Sequence, residues 1–291
     1  MKDKTRALAD FKWCVQSPPL MQFNDDFRWP PEAWFETRKL SFEFIPTSHE
    51  YKLGLRFEAI IAGWIEQEPS LNLLEKNLTI HDKRRTIGEF DLIVDNNGTT
   101  EHWELAVKFY LGTNETINPS NWHGPDPSDT LAKKINRMES HQLKLSQHHA
   151  GKKLLEEKGW NVQRVRSLVK GRLFHPYSSF KLNQFKTPIN VNPNHEKGWW
   201  LGVSEFESSF ELKNNRFIML DRANWFAPIA SSENAQIMNH DETVSFLLTT
   251  PKQGTVPLAL INKNGKEISR GFVVFPQWMR DVNSHAKKSE P

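Results

Sequence analysis

Residues 87–110 read IGEFDLIVDNNGTTEHWELAVKFY, and the alternation within this stretch decides the fold. In GEFDLIVD the spacing predicts a strand with Phe90, Leu92 and Val94 on one face and Glu89, Asp91 and Ile93 on the other. EHWELAVKFY alternates again, setting Trp103, Leu105, Val107 and Phe109 against Glu104, Ala106 and Lys108. Between them, Asn97-Gly98 is the favoured dipeptide of a two-residue type I′ hairpin turn. Such a turn pairs Asn96 with Thr99, so Asp91 falls opposite Glu104, Glu89 opposite Ala106 and Ile87 opposite Lys108. Three carboxylates and a lysine then share one face. Opposed Cβ atoms lie roughly 4.5–5.5 Å apart, where like charges repel unless a cation stands between them.

Upstream, Leu53, Phe57, Ile60, Ile61 and Trp64 recur at helical spacing, with Pro69 just beyond the expected helix end. LNLLEKNLTIHD follows as a short strand. Downstream comes the loop NPSNWHGPDP, in which Asp126 is a suitable N-cap with Pro127 at the first helical position. The helix so begun is expected to run to about His149, with Leu131, Ile135, Met138, Gln142 and Leu145 along its inward stripe. VQRVRSLVKGRLFHP reads as another strand. Helix, three strands, helix and strand indicate an α/β layer architecture. Residues 1–45, rich in Trp, Phe and Pro, read as an arm of short helices; 46–180 form the core; 181–291 form a β-rich C-terminal part ending in a frayed tail.

Composition narrows the classes. The chain has 291 residues, 37% hydrophobic and 25% charged, enough for a substantial core. No run of about 18 apolar residues exists, so no transmembrane helix is expected. The N-terminus lacks the apolar segment of a secretory signal, which makes the cytoplasm the expected location. One cysteine, Cys14, excludes an internal disulfide framework and a cysteine-based zinc site. Net charge is only +3, yet residues 128–173 hold eleven Lys or Arg against four Asp or Glu. Such a segment suits a phosphate backbone, although a solvated helical face accounts for a charge run equally well.

The hairpin also suits a hard cation. Mg²⁺ takes one or two carboxylates together with water and substrate phosphate, and Asp91 with Glu104 provides that pair. A lysine two pleats along, Lys108, is placed to activate water or to stabilise charge on phosphorus. Lys134, Arg137, His141 and Lys144 step along one helix flank, where they would position phosphates without reading sequence. His141, His148 and His149 do not form a zinc motif, and no nucleotide-binding or serine-hydrolase motif occurs.

The order of elements and the residues resemble the PD-(D/E)XK, or restriction-endonuclease-like, nuclease superfamily over about residues 50–175. Its αβββαβ core has a mixed sheet flanked by helices. The acid of its first motif resembles Asp91 in GEFDLI, its lysine resembles Lys108 in WELAVK, and its first-helix glutamate resembles Glu58 in LGLRFEAII. Gln142 in SHQLKLS resembles the glutamine of its following helix in some branches. GEFD, WELAVKFYLG, HQL and LVKGRLF also resemble a bacterial family known only as a domain of unknown function. The resemblance implies a Mg²⁺- or Mn²⁺-dependent nuclease acting on DNA or RNA, with Asp91, Glu104 or Glu89 as metal ligands. It departs from the superfamily at Ala106, where the motif has its second acid. That departure leaves a competing reading, an inactive nuclease fold serving as a nucleic-acid-binding or scaffold module. Nothing in the residues bears on oligomeric state.

Overall fold

The computed structural model describes residues 2–23, 52–230, 236–249 and 254–288. The architecture is mixed α/β, with ten strands among the described residues accompanied by helices, and two compact units can be distinguished. One comprises Met1–Lys108, Lys134–Gly171 and Asn190–Asn194; the other comprises Phe109–Lys133, Arg172–Ile189 and His195–Pro291.

The first unit contains helices α1 (Lys2–Gln16) and α2 (Leu53–Ile65) and strands β1 (Leu71–Asp82) and β2 (Arg85–Asn96). It also holds most of β3 (Thr99–Gly112), the greater part of α3 (Leu131–Ser140), a 3-10 turn (Gln142–Gln147), α4 (His149–Glu157) and the first part of β5 (Arg164–Pro176). The strands lie in the order β1-β2-β3-β5, with β1, β2 and β3 antiparallel. Phe57, Ile60, Ile61 and Trp64 of α2 are buried as their spacing predicts, and Trp64 meets Trp103 at 6.3 Å between ring centroids. Ile80, Phe90 and Ile93 pack with Leu145, Ala150 and Leu155 from the 3-10 turn and α4. Residues 101–107 of β3 are all buried, so both faces of this strand are covered.

Several expectations need correction. The arm of short helices begins with one 15-residue helix, α1, whose Asp10 is buried and ion-paired to Arg6 and to Arg56 of α2. Residues 24–51, including RWPPEAWFE, lie outside the described residues. Asp126 does not cap α3. It accepts the Ser128 amide in a local turn at 2.9 Å, and the helix starts at Leu131 with Thr130 Oγ1 accepting the Lys133 amide at 3.3 Å. Nor does that helix reach His149. It stops at Ser140, His141 takes φ −138° and ψ −65°, and the chain resumes as a 3-10 turn.

The strands of the second unit are paired in both directions. From β5 the order runs through β6 (Glu196–Gly202), β10 (Glu267–Val274), β9 (Thr255–Ile261) and β7 (Arg216–Met219) to β8 (Ile237–Asn239). β5-β6 and β6-β10 are parallel, and the remaining pairs of this series are antiparallel. The two-residue strand β4 (Trp122–His123) pairs with the end of β3. The tail expected to fray is helical through Lys288. Among the described residues no helix is long and apolar enough to cross a membrane.

Candidate functional site

The hairpin at the centre of the first unit has the register its turn demands. Asn97 and Gly98 have φ of +51° and +83°, as a type I′ turn requires, and Asn96 faces Thr99. The pairing continues through Ile93–His102 to Leu92–Trp103 and then ends. At the next position a side chain replaces the ladder: the Leu105 amide donates to Asp91 Oδ2 at 2.7 Å. Beyond this point Glu89 has no partner in the β3 ladder, so the expected Glu89–Ala106 pair does not form; on its other edge β2 stays paired with β1, where Glu89 faces Thr79 and Gly88 faces Ile80. The expected Ile87–Lys108 pair is likewise absent from the ladder. Phe90 also departs from strict alternation. It packs with Ile93 and Leu145, and meets the His102 ring edge-on at 4.8 Å.

This fork makes room for a cluster of buried polar groups. Glu104 is fully buried. Its Oε1 accepts from Gln142 Nε2, and the Gln142 Oε1 accepts from Lys134 Nζ at 3.0 Å. The Asp91 carboxyl lies close enough to Glu104 for each to shift the other's protonation. His102 Nε2 stands 3.6 Å from Glu104 Oε2, and neither of these atoms has a hydrogen-bond partner of suitable geometry among the described residues. The break at His141 delivers Gln142 to this place. His141 Nε2 donates to the Ile87 carbonyl at 2.9 Å, beside Gly88, where a Cβ would lie 2.9 Å from Leu145 and 3.3 Å from that imidazole.

The electrostatics set these acids apart. Burial, followed by the Glu104 charge, pushes Asp91 up to about 7 against the stabilising Leu105 amide. Burial likewise pushes Glu104 to about 7, with Lys134 opposing it. Glu58 also rises to about 7, through burial first and then the charges of Asp91 and Glu89. His102 falls to about 4 because it is buried, so it is neutral at physiological pH. Lys134 is lowered chiefly by burial; Glu104 counteracts this, and nearby Lys108 adds to it. Acids displaced this far by desolvation and one another are a frequent mark of functional sites.

Asp91, Glu104, Gln142 and Lys134 therefore meet directly, while Glu58 and half-buried Lys108 stand within electrostatic reach. Glu89 is exposed and accepts from Thr79 Oγ1 at 3.1 Å; it influences Glu58 rather than completing the acid pair. The uniform basic flank is broken by the end of α3. Lys134 turns into the site and His141 is tied to β2, leaving Arg137 and Lys144 exposed. His102 was not among the expected site residues, although its position two before Glu104 places it on the same strand face. Asp91 and Glu104 are the residues able to hold a cation. No group of three or more His, Cys, Asp or Glu among the described residues is arranged to hold one alone.

The family described as "Domain of unknown function (DUF1853)" matches residues 9–274. The chain belongs to it. The DUF1853 match takes in both compact units, including every residue of the acid cluster. No curated protein and no solved structure matches the chain.

Proposed function

We propose that this DUF1853 protein is a divalent-metal-dependent nuclease of the PD-(D/E)XK type, hydrolysing phosphodiester bonds of DNA or RNA. The observation that carries this reading is the Asp91–Glu104 carboxyl pair, Glu104 fully buried and Asp91 half-buried, each raised to about 7, with Glu104 Oε2 lacking a hydrogen-bond partner among the described residues. Carboxyls raised in this way, Asp91 by burial and the Glu104 charge and Glu104 by burial, suit a hard cation, which takes two of them and leaves positions for water and phosphate. Asp91 and Glu104 would hold Mg²⁺ or Mn²⁺, which supplies Lewis-acid polarisation of a phosphoryl oxygen.

The chain's own groups do the rest. Lys108, beside Lys134, is placed to donate to a phosphoryl oxygen as negative charge develops on it. Glu58, raised to about 7, can take a proton near neutral pH. Exposed Arg137 and Lys144 would meet the nucleic-acid backbone as point charges without reading bases.

One observation favours a second reading, a nuclease fold that binds nucleic acid without cutting it. Ala106 stands where the superfamily has an acid, and no third ligand joins the pair among the described residues. Cleavage of single-stranded and duplex substrates with Mn²⁺, in the full chain and in Asp91→Ala, separates the two. The nuclease reading expects divalent-dependent cleavage that falls by about 100-fold or more in the variant. Unchanged cleavage in a folded Asp91→Ala overturns it. Nucleic-acid binding without any cleavage by the full chain supports the second reading instead.

A further inference from the structure

We propose that Lys134 is a positioning residue for Glu104, acting through the amide of Gln142. The proposal rests on the nuclease reading for what Glu104 ultimately does, but the relay is a property of the folded chain. An ammonium group has donors only, so the group it contacts must be an acceptor. Lys134 Nζ lies 3.0 Å from Gln142 Oε1, which turns the NH₂ end of the planar amide away from the lysine and towards Glu104 Oε1. The carboxylate can only accept from that end. Both neighbours therefore select the same amide orientation, and a flipped amide would confront the ammonium with NH₂ and the carboxylate with oxygen.

The consequence falls on Glu104. Its Oε1 is committed to the amide, and Oε2 is left without a hydrogen-bond partner among the described residues, 3.6 Å from His102 Nε2. Lys134 and Gln142 are eight residues apart. They meet because α3 ends at Ser140 and the His141–Ile87 hydrogen bond holds the following turn against β2. An uninterrupted helix would carry Gln142 two full turns beyond Lys134, about 12 Å along its axis.

A lysine acting only through its charge would need no amide. The two roles separate in a cycle of Lys134→Met, Gln142→Leu and the double variant in the full-length chain without added metal. The readout is the ¹³C shift of the Glu104 side-chain carboxyl at fixed pH, with the backbone amide spectrum confirming the fold. The relay expects Lys134→Met to move the Glu104 signal clearly further in the native background than in the Gln142→Leu background, where only the direct charge effect remains, and Lys134→Arg to restore most of the native shift. Equal displacement by Lys134→Met in the Gln142 and Leu backgrounds overturns the relay, as does no displacement at all. Lys134→Ala takes the place of Lys134→Met if the latter does not fold. Absence of cleavage by the full chain counts against the nuclease reading alone and leaves this cycle interpretable.

Discussion

Glu101 and Glu104 stand three residues apart on β3, on opposite faces, and both are fully buried. Glu101 accepts from Arg166 Nε at 2.6 Å and Nη2 at 2.9 Å, from Trp103 Nε1 at 2.7 Å, and from Arg164 and Asn96 at 3.3 Å. Those donors outweigh burial and hold its carboxyl below the usual range. Glu104 has an amide, a second carboxyl and a bare oxygen, and is pushed up to about 7. One strand thus carries a carboxylate whose partners are complete and another whose partners are not. The first ties β3 to β5; the second costs the fold free energy, which the proposed metal would offset.

The largest expected effect tests the completed side. Glu101→Ala removes the fully buried carboxylate that accepts from Arg166 and Trp103, and should cost about 3–5 kcal/mol in urea denaturation. A loss under about 1 kcal/mol would mean that the two acids do not differ as described. Gly88→Ala tests the other side. Its Cβ would press on Leu145 and His141, and it should destabilise by about 1–3 kcal/mol while disturbing the Gln142–Glu104 contact. A crystal structure of that variant with His141 and Gln142 unmoved would contradict the link.

Stability against pH should show the contrast directly. Asp91 and Glu104 bind protons more tightly folded than unfolded, so between pH about 4 and about 7 they release protons on unfolding and stability falls as pH rises. Asp91→Asn with Glu104→Gln should flatten that slope in denaturant midpoints. Glu101 has the opposite sign: its contribution is present above its ordinary value of 4.5 and is lost as pH falls below it. The smallest effect is expected from Arg164→Ala. Its guanidinium side chain is 53% exposed, so the loss should be about 0.2–1 kcal/mol, well below that of Arg166→Ala in the same titration.

Much of this arrangement was legible in the residues. Alternation placed Glu104 on the opposite face from Trp103, and Asn97-Gly98 set the register through Leu92–Trp103. From α2 to β5 the first unit follows the expected order, but α1 precedes it, and α3, a 3-10 turn and α4 stand where one helix was expected. Glu101 was not legible as a paired acid, because Arg164 and Arg166 arrive from β5 more than sixty residues later. Gln142 stood out as a polar residue on an apolar stripe, but the stripe was drawn on a helix that ends at Ser140. Glu89 looked equivalent to Asp91 by parity. The β2-β3 ladder ends before it, and Glu89 is left exposed with Thr79 Oγ1 of β1 donating to it.

The sequence by itself determined the α/β class, the hairpin and its register, since side-chain period and turn geometry act over a few residues. Only the tertiary structure decided where the ladder forks, which acid stays exposed and how Lys134 meets Gln142. Those outcomes depend on the turn after α3 packing into the space left by Gly88, and on the Asp91 side chain taking the Leu105 amide. They are settled by competition for buried hydrogen-bond partners among segments far apart in the chain, which no local pattern records.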